Sequence, residues 1–268
     1  NATEYGLVLN EAYAASGQSL PYANISALGK GTNWQDQLFN NALLMNHNIS
    51  LSGGGEDYRY FISASRTEQD GIIAKEKSNF IRNNIKLNIG VDINEKLNFS
   101  LIANYFTTAS QGFDGSLLFN GLNYAPTFGI NEDDTANFLG IEVVNPLSLL
   151  KNTFGENNGS GIEGNFKLEY KPIEDLSVTS RIGYKIFNEK QRSFTPIQEY
   201  GNSKVYNKTQ SSVYQFKATS TRINWETFAT YKKTFNEDHN ATFTLGTSVQ
   251  NDLFDISLFK FFPSFFIF

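Results

Sequence analysis

Apolar and polar residues alternate along most of the chain, and the clearest stretch covers residues 80–93. One face of this stretch is aliphatic: Ile81, Ile85, Leu87, Ile89, Val91 and Ile93. The other face is polar: Arg82, Asn84, Lys86, Asn88 and Asp92. A period of two predicts a β-strand with one apolar and one polar face.

The same period continues in residues 96–108, and Asn94-Glu95 between the two runs predicts a tight hairpin. Further paired runs with short turns between them lie at 46–53 with 58–66, 162–171 with 176–186, and 222–234 with 240–250. The sequence therefore predicts about eight strands in four antiparallel hairpins.

The strands are long and their connections are of two kinds. Many of the predicted strands have 11 to 14 residues, compared with about 5–6 in most soluble proteins. Short turns join strands within a hairpin, whereas long loops join the hairpins at 67–79, 109–160 and 189–212. This layout is typical of outer-membrane barrels. We predict an all-β fold: an antiparallel transmembrane β-barrel segment with short periplasmic turns and long extracellular loops.

The cost of burying charge decides which face meets lipid. Arg or Lys on the lipid face near the midplane costs roughly 2–4 kcal/mol. Arg82 and Lys86 share one face of the 80–93 strand, so this face is predicted to line the lumen and the aliphatic face to meet lipid. Aromatic residues near strand ends are predicted to form interfacial girdles: Tyr58, Tyr60, Phe80, Tyr105, Tyr170, Tyr184 and Tyr231. A soluble β-sandwich would alternate in the same way, but strand length and loop asymmetry favour the barrel.

Three segments are predicted along the chain. Residues 1–44 form a helix and loops before the strands, with a short helix near 3–16, and residues 45–250 form a partial barrel. Residues 251–268 are a Phe-rich tail in which strand alternation is lost, and we interpret this tail as the result of truncation or a frame shift. The chain as a whole is interpreted as a piece of a longer protein or a mature product.

Composition excludes several functions. Lys plus Arg is 22 against 27 Asp plus Glu, a net charge of −5, so no nucleic-acid partner is predicted. Aromatic residues make up 15% of a chain whose mean hydropathy is −0.35, which suits long strands with two unlike faces. Cysteine is absent, which excludes disulfides and thiolate metal sites. No apolar run of about 18 residues exists, so no transmembrane helix is predicted.

No catalytic, cofactor-binding or metal-binding site is predicted, and the chain is not expected to be an enzyme. Gly53-Gly54-Gly55 lies between two strands, whereas a phosphate-binding loop needs a helix N-terminus. His47 and His239 lie at a strand end or turn, and a metal site would need another convergent ligand. The acidic run 131–134 is interpreted as a solvated loop, with a calcium site as the alternative.

Four aromatic residues of the long loop 109–160 are candidate ligand-binding residues: Phe113, Phe119, Tyr124 and Phe128. Aromatic faces stack well on sugar rings and apolar peptide side chains. The alternative is that these rings pack the loop onto itself, as happens in compact long loops.

Several motifs resemble those of a known family. Residues 31–39 contain a Trp-Gln-Asp block, and residues 46–54 form an Asn-His-Asn-Ile-Ser strand that ends in two glycines. A tyrosine-bearing strand at 60–65 and Asp-Gly-Ile-Ile at 70–73 follow. This order resembles the SusC-like (SusC/RagA) family of TonB-dependent outer-membrane transporters of Bacteroidetes-type bacteria. Looser matches, including Asn145-Pro146-Leu147, extend the resemblance over most of residues 3–250.

The resemblance implies a nutrient importer in the outer membrane of a Gram-negative bacterium. It implies uptake of oligosaccharides or peptides, contact with outer-membrane lipid, and a SusD-like surface lipoprotein as a lid. Energy would come from the TonB complex through a plug region, which this sequence does not contain. Family members form 22-stranded barrels, so about eight strands would be a fragment. The alternative is a small self-contained β-barrel or adhesin-like module that closes on itself and binds ligands with its loops.

Overall fold

A computed structural model describes residues 1–140, 142–236 and 238–262. Eight strands form one antiparallel sheet, and each strand pairs with its neighbours in sequence. The strands are β1 Leu44–Gly54, β2 Tyr58–Asp70, β3 Asn79–Asn94, β4 Leu97–Gln111, β5 Phe154–Ile173, β6 Leu176–Thr195, β7 Ser212–Phe235 and β8 His239–Phe261. The predicted all-β antiparallel class and the four hairpins are confirmed.

The connections at the two ends of the sheet differ in length, as the sequence predicts. The short ones have two or three residues: 55–57, 95–96, 174–175 and 236–238. The long ones are 71–78, 112–153 and 196–211. All long loops therefore gather at one end of the sheet, which we call the loop end.

Strands extend further toward the loop end than alternation predicts. β5 begins at Phe154 and β6 ends at Thr195, inside the segments predicted as loops. Here Glu156 lies opposite Arg192 on the face that is apolar further down. The backbone pairing continues, but both faces are polar, so the period-two contrast disappears from the sequence.

Cross-strand register aligns the apolar rows of the strands on one face. Leu87 of β3, for example, lies opposite Ile62 of β2 and Ala103 of β4. On β5 the row spans nine residues, Ile162–Tyr170, which matches the length that a tilted strand needs to cross the hydrocarbon core. Leu245 of β8, in the same row, is 82% exposed. A continuous apolar band therefore runs across all eight strands on the outer face.

The opposite face carries Arg82 and Lys86, as the cost of burying charge predicts. Six of the seven proposed girdle residues lie on the outward, apolar face: Tyr58, Tyr60, Tyr105, Tyr170, Tyr184 and Tyr231. The assignment of Phe80 to the girdle is wrong, because its even position places it on the inward face with Arg82.

The last strand differs from the prediction. β8 continues past Gln250 and pairs with β7 as far as Phe261, opposite Val213. In this part three apolar residues lie on the inward face: Phe254, Ile256 and Leu258. Leu253, Phe259 and Phe261 remain on the outward face, so apolar residues lie on both faces and the alternation is lost in the sequence. The remaining tail residues, 263–268, lie outside the described residues.

Helices and loops cover the loop end. The helices are α1 Ala2–Ala15, α2 Trp34–Leu38, α3 Ser116–Asn123 and α4 Pro146–Lys151, with 3₁₀ turns at Ile25–Leu28 and Lys75–Lys77. α1 corresponds to the helix predicted near 3–16 and begins with a capping box between Asn1 and Glu4. We call residues 1–43, 71–78, 112–153 and 196–211 together the cap. None of the described helices is long and apolar enough to cross a membrane.

Candidate functional site: lumen wall and extracellular cap

The inward face of the sheet is polar, and many of its charges are paired across strands. Three such pairs, with N–O distances of 2.6, 2.6 and 3.7 Å, are Arg181–Glu226, Arg222–Asp252 and Lys185–Glu163. They join β5 to β8 strand by strand. Paired charges keep this part of the wall hydrated while limiting its net field.

The wall formed by β2 and β3 is different. Arg59, Arg82 and Lys86 all face inward, and none of them has an ion-pair partner among the described residues. The Arg82 guanidinium carbon lies 4.8 Å from the centre of the Phe106 ring, and Arg82 Nε donates to Asn84 Oδ1 at 2.9 Å. This side of the wall is therefore cationic.

Two aromatic rings lie against the inner wall at a glycine of β5. Gly161 is opposite both Phe106 of β4 and Phe187 of β6. A Cβ on Gly161 would lie 2.5 Å from the Phe106 ring, a distance that real side chains do not adopt. The ring centres are 6.0 Å apart with an angle of 24° between their planes. Because Gly161 has no side chain, the Phe106 and Phe187 rings can pack over the backbone of β5 and approach each other.

A depression of about 560 Å³ lies lower on the same wall. Three amide side chains line it, Asn104, Asn165 and Asn224, together with the Lys185–Glu163 pair. Gly183 belongs to its floor, since a Cβ there would lie 2.2 Å from Asn224 Oδ1. Amide, carboxylate and ammonium groups provide both donors and acceptors, so the surface can hydrogen-bond to hydroxyl or peptide groups.

In the cap, a buried ion pair joins two loops that are far apart in sequence. Lys204 Nζ lies 2.9 Å from Asp134 Oδ2, and both side chains are at most 1% exposed. Lys204 also donates to the carbonyls of Gly140 and Val143 at 2.5 and 2.8 Å. All three protons of the ammonium group are thereby bound, as a buried charge requires.

The carboxylate is equally well satisfied. Phe138 and Leu139 donate their backbone N–H groups to Asp134 at 2.6 and 2.7 Å. Burial alone would raise the pKa of Asp134, but the hydrogen bonds from Lys204, Leu139 and Phe138 outweigh it, and the pKa is lowered. Asp134 is therefore neither the solvated residue nor the calcium ligand considered from the sequence. The described residues contain no cluster of three or more potential metal ligands.

The N-terminal segment is bound to the loop between β4 and β5. Trp34 Nε1 donates to the carbonyl of Ala125 at 3.0 Å, and its ring meets Tyr124 edge-on at 5.1 Å. Gly31 packs so closely that a Cβ would lie 2.1 Å from the Pro126 carbonyl oxygen. The Trp-Gln-Asp block thus belongs to the packing of the cap.

The four candidate aromatic residues occupy different environments. Tyr124 is 3% exposed and donates its hydroxyl to the Glu132 carbonyl; its burial raises its pKa. Phe128 packs on Tyr124, with ring centres 5.2 Å apart, and Phe113 packs on the core around Leu117. Phe119 is 47% exposed. Three of the four rings are thus engaged within the cap, and a ligand contact at these positions remains a prediction.

Lys204 and the cationic wall of β2 and β3 do not appear among the candidates from the sequence. The partners Asp134 and Lys204 are 70 residues apart, so neighbouring residues give no signal for their pairing. Strand parity does predict that Arg82 and Lys86 face the lumen, but it does not show that they have no ion-pair partner on the neighbouring strands.

The known proteins that this chain is similar to are TonB-dependent receptors and a peptide transporter. No family model matches the chain. It is 26% identical over 233 residues to the TonB-dependent receptor P3 of Formosa agariphila, covering 82% of this chain and 22% of that protein. It is also 26% identical over 200 residues to the TonB-dependent receptor SusC of Bacteroides thetaiotaomicron, covering 64% of this chain and 20% of that protein.

Solved structures show the same fold. The RagAB peptide transporter matches 97% of this chain with a TM-score of 0.72 and 18% identity, over 30% of its own length. The closed-closed state of the RagAB peptide importer matches 87% of the chain with a TM-score of 0.66. The chain spans between a fifth and a third of the length of these relatives.

The family resemblance noted in the sequence is thereby confirmed: the chain resembles part of a SusC-like TonB-dependent transporter. Its sheet is part of an outer-membrane β-barrel. The relatives are receptors and transporters rather than enzymes.

Proposed function

We propose that this chain forms part of the barrel wall of a TonB-dependent importer that takes up oligosaccharides or peptides. The observation that supports this most directly is the two-faced sheet. Its outward apolar row spans nine residues on β5, and its inward face is polar, with cross-strand ion pairs. Such a wall anchors in lipid on one side and provides a hydrated surface on the other.

The three segments divide this work. The strands of residues 45–250, extended by β8 to Phe261, form the barrel wall, whereas residues 1–44 contribute to the cap together with the long loops between the hairpins. The wall performs no covalent chemistry in this proposal, and the chain is not an enzyme. Energy would reach the transporter from the TonB complex through a plug region that this chain does not supply.

The cap is the proposed contact for a SusD-like surface lipoprotein that acts as a lid. It lies at the loop end, outside the apolar band, and exposes apolar side chains there. Among these are Phe119 and Leu122 of α3, which are 47% and 55% exposed. A packed cap with exposed apolar groups is suited to contact another protein.

Uptake by living cells tests the proposal. The full-length protein would be deleted in its host, and accumulation of labelled oligosaccharides and labelled peptides would be measured separately. We expect accumulation of one of the two classes to fall to background, both in this strain and in one lacking TonB. Unchanged accumulation of both classes in the deletion strain would reject the importer.

The alternative of a small closed barrel finds no support in the sheet. Closure would require hydrogen bonds between β1 and β8, whereas the strand order is linear and the described residues of these strands are not paired. Without this pairing, the eight strands form an open sheet with two edges.

A further inference from the structure

A cleft of about 600 Å³ opens on the outer side of the sheet, near the loop end. Its outward-facing walls come from the first residues of β5 and the last of β6, where Phe154 lies opposite Phe194 and Glu156 opposite Arg192. The loop between β2 and β3 closes it on one side through Lys77. Lys77 belongs to the cap and the strand residues belong to the barrel wall, but the importer proposed above gives the cleft itself no role.

The position of the cleft relative to the membrane follows from the apolar band. On β5 the outward row stops being apolar above Ile162, and Phe154 lies eight residues beyond it on the same face. At about 3.3 Å per residue and a tilt near 40°, this places the cleft about 20 Å above the hydrocarbon. Asn158 and Lys190, also outward, lie between the two levels. The cleft therefore faces sideways into the layer occupied by lipid headgroups and their sugars.

The cleft is held in shape by Lys77. Its ammonium group donates to the carbonyls of Leu150, Lys151 and Thr153 at 2.8, 3.0 and 2.7 Å. It also lies 4.4 Å from the centre of the Phe154 ring. Because three carbonyls already bind the ammonium group, it serves to fix the ring and the start of β5.

The remaining groups match one chemical class of ligand. Phe154 is 47% exposed and its ring centre is 5.9 Å from that of Phe194, which gives an apolar surface in a wet environment. Beside it, Arg192 Nη1 lies 3.7 Å from Glu156 Oε1, and these side chains are 56% and 45% exposed. Rings that can stack next to exposed donors and acceptors suit a saccharide, which has apolar ring faces and hydroxyl edges.

We propose that this cleft binds a saccharide chain on the outside of the barrel. Its sideways orientation favours the sugars of a membrane glycolipid over a solute approaching the mouth. Binding there would fix the barrel relative to the surrounding glycolipid layer. The proposal depends on the outer-membrane location and not on what the transporter carries.

Binding to lipid-free sugars tests this proposal. The full-length protein would be purified in detergent and freed of glycolipid, and binding would be measured by fluorescence anisotropy. One probe is the labelled core oligosaccharide released from the host's lipopolysaccharide by mild acid, and the other is a labelled neutral glucan oligosaccharide. We expect the core oligosaccharide to bind, and Phe154→Ala to weaken its binding by about tenfold, the scale of losing one central ring.

Two further variants separate a specific contact from a general defect. Phe154→Trp keeps an aromatic face and should retain binding, whereas Phe235→Ala removes an exposed ring at the opposite end of the sheet and should have no effect. Tighter, Phe154-dependent binding of the glucan would keep the saccharide site but reject the glycolipid as its source. Absence of binding by both probes, or equal affinity in the wild type and Phe154→Ala, would overturn the proposal.

Discussion

Gly161 allows an aromatic ring to pack directly on the backbone of the lumen wall. Its hydrogen atom faces the ring of Phe106, and a Cβ would lie 2.5 Å from that ring. Gly155 lies on the same strand and the same face, but a Cβ there would meet nothing closer than 3.9 Å. The two glycines therefore provide a matched pair for testing the effect of a single methyl group.

Replacement of Gly161 by alanine should destabilise the barrel, whereas the same change at Gly155 should not. Forcing a methyl group into a filled space typically costs about 1–3 kcal/mol. The free energy of unfolding of the full-length protein, measured by urea titration in lipid, gives the comparison. Adding Phe106→Ala to Gly161→Ala should recover part of the loss; equal stability of the two alanine variants would show that Phe106 does not rest on Gly161.

Removing one partner of the buried pair Asp134–Lys204 should destabilise the cap far more than removing one partner of an exposed pair. Lys204→Met leaves a carboxylate buried without its partner, which costs about 3–5 kcal/mol. The exposed pair Glu156–Arg192 is the control, because Arg192→Met should cost about 1 kcal/mol or less. Hydrogen exchange of residues 130–145 measures local opening, and equal protection in both variants would contradict the assigned role.

The same pair predicts how the cap responds to acid. The pKa of Asp134 is lowered below its ordinary value of 3.8 by its hydrogen bonds, so the unfolded cap binds this proton more readily than the folded cap. The stabilisation is therefore complete above the ordinary pKa and is lost as the pH falls through the lowered folded value. Proteolysis of the cap should accelerate below about pH 4; in Asp134→Asn this step should be absent, and its persistence would assign it to another group.

At the scale of the strand, neighbouring residues face different solvents. Leu87 lies in the middle of the outward row between Ile62 and Ala103, and Asn88 faces the lumen. Leu87→Arg should cost about 2–4 kcal/mol because it places a cation in lipid. Asn88→Arg should have little effect at the same height. Folding into lipid vesicles, followed by urea titration, compares the two, and equal costs would mean that the faces are wrongly assigned.

Alternation predicts the strands well only where the two faces meet different environments. The membrane-spanning part of β3 is clear in the sequence because Ile85 and Leu87 face lipid while Lys86 faces water. Above the band, Glu156 and Arg192 face the polar layer outside the barrel, and the contrast between the two faces is lost although the pairing continues. Upper β8 fails for another reason, since its apolar residues lie on both faces.

The cap is less predictable because contacts between distant residues stabilise it. The short helix near the N-terminus was visible in the sequence, but the bond from Trp34 to Ala125 spans 91 residues. Pairing of Asp134 with Lys204 likewise depends on two loops meeting in space. A local sequence pattern does not show which distant residues pair. The acidic run 131–134 is therefore interpreted from the sequence as solvated, although the carboxylate of Asp134 is buried.

For the whole molecule, the open sheet predicts which strands can be cross-linked. This chain contains no cysteine, so introduced thiols are the only ones in this part of the protein. Cysteines at Ser100 and Lys167, opposite each other on β4 and β5, should form a disulfide on oxidation in the full-length protein. A pair at Ser50 of β1 and Ser248 of β8 should remain reduced, and efficient bridging there would show a closed eight-stranded barrel instead.

The linear strand order also sets the order of assembly. Each strand pairs with the one just before it, so each hairpin can form locally around a turn of two or three residues. The cap has no such route, because the Thr32 N–H to Pro126 carbonyl bond and the Lys204 to Asp134 bond join residues that are 70 or more positions apart in the sequence. Contacts of large sequence separation form slowly. We therefore expect the strands of the wall to pair first and the cap contacts to form last. A folding intermediate trapped before the last step would have its strands in the membrane and its cap still unfolded.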